Sequence, residues 1–273
     1  MDKKLESELI GNPLHWRLAL GISSTELEIV AHSPSEDNSL IHRHIDLDPT
    51  APTPLQALEK AVYDTPLLLL DFGRISCVID TPQTIVAPPE AADDTEAALE
   101  LMEMSFPGYV SETAVSPLGA SNAVLVSGYD IETASFLRRT FFNTTLAPRL
   151  EPLCRYFLGV SRRVNTPRMF VNAGPRAIDI VAVDRGRLLV ANTFRYGTPD
   201  DAAYYVMAIR RDAPLSDCEL LVSGQPTARD TLMGLLRRFV PGVMPVIFPS
   251  EMFRAGREAM NCPFELIVQP LCE

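Results

Sequence analysis

His42 and His44 stand at alternate positions of a run, residues 40–47, that reads as a strand, so both rings face one side of it, a spacing with which a metal site can begin. Nothing nearby in the sequence completes it. His32 and Asp46 can approach across neighbouring strands, but polar residues on the solvent face of a half-exposed sheet leave the same pattern, and no metal ligand is assigned. The chain has no G-x-S-x-G elbow, P-loop, G-x-G-x-x-G or H-E-x-x-H, and its four histidines all precede residue 45. A triad of nucleophile, histidine and acid therefore has few candidate bases, and no catalytic residue is assigned. Tyr196, Tyr204 and Tyr205, with Phe194 and Trp16, could form an aromatic contact surface; half-buried core beside a helix start is the commoner outcome.

A net charge of −11 repels phosphate backbones and anionic lipid surfaces. The basic spots at Arg162, Arg163 and Arg168 and at Arg237 and Arg238 are too short to form a stripe, so nucleic acid is not an expected partner. The charged amino terminus lacks the apolar core of a signal peptide, and no run approaches the roughly 18 apolar residues that span a bilayer. No membrane insertion is expected, and the cytoplasm is the expected location. Cys77, Cys154, Cys218, Cys262 and Cys272 are odd in number, widely spaced and without a C-x-x-C, as suits reduced thiols packed in a core.

The elements that must position any site follow from periodicity. With 273 residues, 47% hydrophobic and 22% charged, the chain suits two globular units better than one core. Strands are expected over residues 16–21, 26–32 and 40–47, a helix over 54–63 behind Thr53, strands over 67–70, 75–79 and 84–86, and a helix over 93–106. A strand at 123–126 and a helix at 131–142 follow, and Pro148 and Pro152 then break the pattern before a helical stretch at 153–160. The junction is placed there, dividing the chain into 1–147 and 148–273. The second half repeats the order: strands at 169–171, 177–183 and 188–194, a helix at 200–211, a strand at 219–222 and a helix at 228–240. Strands at 243–248 and 264–268, with a helix at 251–260 between them, complete it. Each half thus reads βββαβα, a duplicated pattern without duplicated residues.

Three segments carry a family resemblance: ANTFRYGTPDDAAYY, with Asn192, Phe194, Tyr196, Asp200, Tyr204 and Tyr205; LLVSG, ending at Ser223 and Gly224; and the opening hairpin WRLALGISSTELEIV. On these, over nearly its whole length, the chain resembles an uncharacterised bacterial family, a domain of unknown function with an actin-like ATPase fold. The resemblance implies an α/β protein of two ribonuclease H-like subdomains in an actin-like ATPase arrangement, mixed sheets with flanking helices.

In working actin-like ATPases the first hairpin of each half turns through an Asp-x-Gly-type sequence, whose N–H groups cradle phosphates and whose acid orients Mg²⁺. Here the first turn, Gly21, Ile22, Ser23, Ser24, Thr25, has no acid before Glu26. The second keeps Gly174 but has Asn172 at the acid's position, and Pro175 lacks an N–H. The double glycine that admits the nucleoside is reduced to Ser223 and Gly224.

Ser23, Ser24, Thr25, Asn172, Gly174, Arg176, Ser223 and Gly224 are accordingly the expected cofactor-type lining, with the two turns facing each other across an interlobe cleft. The expected function is that of a non-catalytic binding or regulatory protein with a degenerate nucleotide site, no ATP hydrolysis, no required cofactor and a protein partner. The alternative is a slow or atypical ATPase, taking ATP and Mg²⁺, in which Glu26, Asp179 or Asp184 replaces the missing acids. The oligomeric state is not specified.

Overall fold

Strands β1 (Arg17–Ile22), β2 (Glu26–His32) and β3 (Ile41–Asp46) form an antiparallel meander in the computed structural model, which describes residues 10–119, 121–162, 164–212 and 215–272. Alternation along β1 sends Leu18, Leu20 and Ile22 into one core and Ala19 into another, so the sheet is covered on both faces. Helix α1 (Pro54–Tyr63) starts where the Thr53 hydroxyl accepts from Gln56 N and Pro54 fills the first turn, and it buries Leu58 and Val62 against the first face. Strand β4 (Arg74–Ile79) then pairs parallel to β1.

A module of its own follows: β5 (Thr84–Ala87), α2 (Thr95–Ser105), β6 (Glu112–Pro117) and β7 (Val124–Tyr129), a three-stranded antiparallel sheet over a small core of Ala98, Met102, Val124 and Val126. Helix α3 (Ile131–Thr140), capped by Asp130, returns to the first core with Phe136 and Leu137, and β8 (Thr144–Pro148) completes the sheet in the order β3-β2-β1-β4-β8. Helix α4 (Leu150–Ser161) crosses to the second half, where Phe157 stacks on Phe170 at 4.0 Å between ring centres.

There the pattern recurs. Strands β9 (Arg168–Ala173), β10 (Ala177–Asp184) and β11 (Arg187–Arg195) form a second meander, α5 (Pro199–Arg210) follows, and β12 (Glu219–Gly224) pairs parallel to β9. Helix α6 (Pro226–Leu236) and the short β13 (Met244–Pro245) give the order β11-β10-β9-β12-β13, position for position that of the first sheet. Thr198 and Asp201 close a reciprocal capping box at the start of α5, which gives the TPDD segment a structural reason. Helices α7 (Ser250–Ala255) and α8 (Phe264–Val268) fold back over the first sheet, where Met252, Leu266 and Ile267 meet Ala19, Val30 and Val78.

Several expected elements are corrected. Residues 67–70 are not a strand: Pro66 starts a 3-10 turn, Pro66–Leu69, that buries Leu67 and Leu68. Residues 264–268 are the helix α8; buried on nearly every side, they carry no helical period to distinguish them from a buried strand. Of 243–248 only Met244–Pro245 is a strand beside β12, with Val246 N also donating to Val222 O at 2.9 Å, a short edge of the kind that admits a proline. Strands β6 and β8 fall where no strand is expected, because TAVSP and TTLAP lack a continuous apolar run. Trp16 is buried in the first core, and Phe194 and Tyr205 stack at 4.9 Å against the second; Tyr204 alone of these is mostly exposed. Cys77, Cys154, Cys218 and Cys262 are buried free thiols, and burial pushes Cys77 and Cys262 up to about 12.

His32, opposite Arg17 in the β1–β2 ladder, has a pKa pushed down from 6.5 to about 4 by burial and then by the Arg17 charge. The unfolded chain binds this proton more readily, so stability contributed by the neutral ring is complete above about pH 6.5 and is lost towards pH 4, by up to about 3 kcal/mol. Urea midpoints of the wild type and His32→Gln across that window are expected to diverge by this amount; parallel curves would refute the assignment.

Candidate functional site

Two turns and three strand ends converge between the five-stranded sheets. In the β1–β2 turn the Ser23 hydroxyl accepts from Glu26 N at 3.0 Å and from Thr25 N at 3.2 Å, so it is spent on closing its own turn. In the β9–β10 turn Gly174 N donates to Ala177 O at 2.9 Å, Tyr196 Oη donates to Gly174 O at 2.5 Å and Pro175 has no donor. Neither turn therefore presents the unbroken row of N–H groups that cradles a phosphate.

The floor is an ionic network. Arg149, at the N-terminal end of α4, sends Nε to Asp179 Oδ2 at 2.9 Å and to Glu265 Oε1 of α8 at 3.5 Å. Asn172 Nδ2 donates to the same Asp179 oxygen at 3.0 Å and to Glu265 Oε2 at 3.1 Å. Thr193 Oγ1 donates to Asp179 Oδ1 at 2.8 Å, and Ser223 Oγ donates to Asn172 Oδ1 at 3.2 Å. Burial opposes the Arg149 charge, but Asp179, Glu265 and Asp80 outweigh it and hold the guanidinium protonated. Burial raises the Glu265 pKa, with Arg149 opposing the rise. Two further ion pairs cross the gap nearer its rim: Arg195 to Asp80 at 3.3 Å and Arg176 to Glu26 at 3.7 Å.

The remaining cavity is about 150 Å³, lined by Ser23, Ser24, Thr25, Asn172, Gly174, Arg176 and Gly224 among others. The structure thus brings seven of the eight sequence-derived site residues to one cleft, with the two turns facing each other. Ser223 lies behind it, buried and bonded to Asn172. Gly224, at φ +110°, is required for packing: a Cβ there would stand 2.1 Å from Ala173 O. Sequence reasoning missed Arg149, Asp80, Arg195 and Glu265. Arg149 lies in the proline-broken stretch, and Glu265 lies on the helix read as a strand, so neither carried a positional signal. Of the acids named for an atypical ATPase, Asp179 and Glu26 are at the cleft but already paired. Asp184 is at the far end of β10, about 24 Å away along the strand, beside Arg185.

Residues 10–243 match the family described as protein of unknown function, DUF3822. The chain belongs to that family. No curated protein matches it. Among solved structures, a Bacteroides thetaiotaomicron VPI-5482 protein with actin-like ATPase fold and unknown function is similar at 21% identity, with a TM-score of 0.75 over 96% of this chain and 97% of that one. The PilM-PilN type IV pilus biogenesis complex is similar at 14% identity, with a TM-score of 0.58 over 94% of this chain and 97% of that one. This DUF3822 member therefore has the actin-like ATPase fold, in agreement with its two equivalent mixed sheets. Among its described residues no helix is long and apolar enough to cross a membrane.

Proposed function

We propose that the protein is a non-catalytic binding or regulatory protein of the cytoplasm, which keeps the actin-like scaffold, does not hydrolyse ATP and holds a protein partner at the cleft rim or a sheet edge. The observation that carries this reading is the Arg149 guanidinium set between Asp179 and Glu265, a protein cation on the cleft floor. The site fits Mg²⁺–ATP poorly. Its cavity of about 150 Å³ is well below the roughly 300 Å³ at which ligand pockets begin. Asn172 replaces an acid, and Asp179 already receives Arg149, Asn172 and Thr193. The degenerate turns point the same way. The PilM-PilN complex is an example of this fold assembled with another protein, which supports the protein-partner part of the proposal.

Calorimetric titration with Mg²⁺–ATP, paired with a phosphate-release assay, tests the reading. No heat at millimolar nucleotide and no release above the blank are expected. Turnover that disappears in Asp179→Asn would replace this reading with that of a slow ATPase.

A further inference from the structure

Outside the ionic floor, the β2–β3 hairpin gathers five donor side chains on one face. Glu28 lies directly opposite His44, Glu26 opposite Asp46, and His42 is the next same-face neighbour on β3. Glu28 Oε2 is 2.8 Å from His42 Nε2, and its other oxygen is 2.8 Å from His44 Nδ1. His44 Nε2 is 3.2 Å from Asp46 Oδ1. One ligand atom from each of Glu26, Glu28 and His44 lies within 4.8 Å of the others, so small rotamer changes bring them round one ion. Glu28 answers the pair of histidines on the neighbouring strand. His32 does not, since it is buried at the other end of β2.

Two features single this group out from ordinary surface polarity. The first is His44, which faces a carboxylate with each ring nitrogen. A protonated ring donates to both; a neutral ring has one N–H, and a bound metal cation takes the place of the second proton. The second is the pre-ordering of Glu28, whose side chain is only 12% exposed and which stands beside Gly21 on the face covered by Leu266 of α8. Two imidazoles and three carboxylates form a mixed nitrogen and oxygen set, which suits a first-row divalent ion of the Zn²⁺ type better than Ca²⁺ or Mg²⁺.

We infer that the β2–β3 hairpin binds one such divalent transition-metal ion through Glu26, Glu28 and His44, with His42 and Asp46 completing the donor set. The inference goes beyond the proposed binding role and is separable from it: of these donors Glu26 alone has an ion pair across the cleft, with Arg176 at 3.7 Å, and none belongs to the cleft floor.

Chelator-treated, tag-free protein titrated with Zn²⁺ by calorimetry, and with Co²⁺ by visible absorption, tests it. One ion per chain is expected, with a Co²⁺ spectrum free of thiolate charge transfer and a Zn²⁺-dependent rise in Tm. Loss of even an outer partner of a metal typically weakens binding 10–100-fold, so His44→Gln and Glu28→Gln are each expected to weaken Zn²⁺ by at least about 100-fold. Their unchanged Tm in chelator would show that folding is intact, and Asp46→Asn, at an exposed position, supplies a milder variant expected to weaken binding less. No binding, unchanged affinity in all three variants, or a thiolate spectrum would each overturn the inference.

Discussion

Arg149→Met is expected to destabilise the protein by about 3–5 kcal/mol, measured as the shift in urea midpoint at constant slope. The side chains have similar reach, so the change removes charge and donors more than volume. Asp179, only 1% exposed, would keep Asn172 and Thr193 but lose its one close cation, and Glu265 would lose its counter-charge as well. An uncompensated buried carboxylate is far more costly than a lost surface pair, which is worth at most about 1 kcal/mol. Asp179→Asn added to Arg149→Met is therefore expected to recover part of the loss, a coupling visible in the double-mutant cycle. The pH dependence has a definite sign. Without Arg149 the largest opposition to the burial that raises the Glu265 pKa is gone, and the Asn172 and backbone hydrogen bonds oppose it less, so the folded state holds a proton that the unfolded chain releases above about 4.5. The deficit should therefore narrow as the pH falls towards 4.5 and widen above it. A loss below about 1 kcal/mol would mean that water, not Arg149, balances these carboxylates.

Gly224→Ala is expected to cost about 3–5 kcal/mol or to abolish folding, although it adds one methyl group. At φ +110° the residue is in a region that L side chains avoid, and the new Cβ would lie 2.1 Å from O, 2.5 Å from N and 2.7 Å from C of Ala173. The only relief is to part β12 from β9, which breaks the Gln225 N to Ala173 O bond of 2.9 Å. Gly174→Ala is the control. Its Cβ would meet Ala177 O and an Arg149 nitrogen at 3.2 Å, contacts that yield by a few tenths of an ångström, so about 1 kcal/mol is expected. Equal stability losses in the two variants would refute this account, in which the glycine at the end of β12 serves backbone packing.

Much of the first meander, α1, and the second meander with α5 and β12 was legible because each carries a clean period and a local signal. Thr53 before Pro54, and Thr198 before Pro199, mark helix starts by chemistry that needs no distant partner. Asn172 in place of an acid was likewise readable, since a residue type inside a recognised turn is a local fact. The helix at 264–268 was not readable, because Phe264, Leu266, Ile267 and Val268 are all buried and periodicity reports only the contrast between a wet and a dry face.

The sequence by itself determined the residues of both turns and the duplicated order of elements. These follow from short-range sterics and from patterns read within ten or so residues. Only the tertiary structure decided what fills the cleft and what completes the histidine pair. Arg149, Asp179 and Glu265 come from three separate parts of the chain, and Glu28 reaches His42 and His44 only through the register of β2 on β3. The physical reason is that a buried charge or a shared cation is decided by which groups meet across space. Sequence spacing carries little of that information once strands pair and helices fold back.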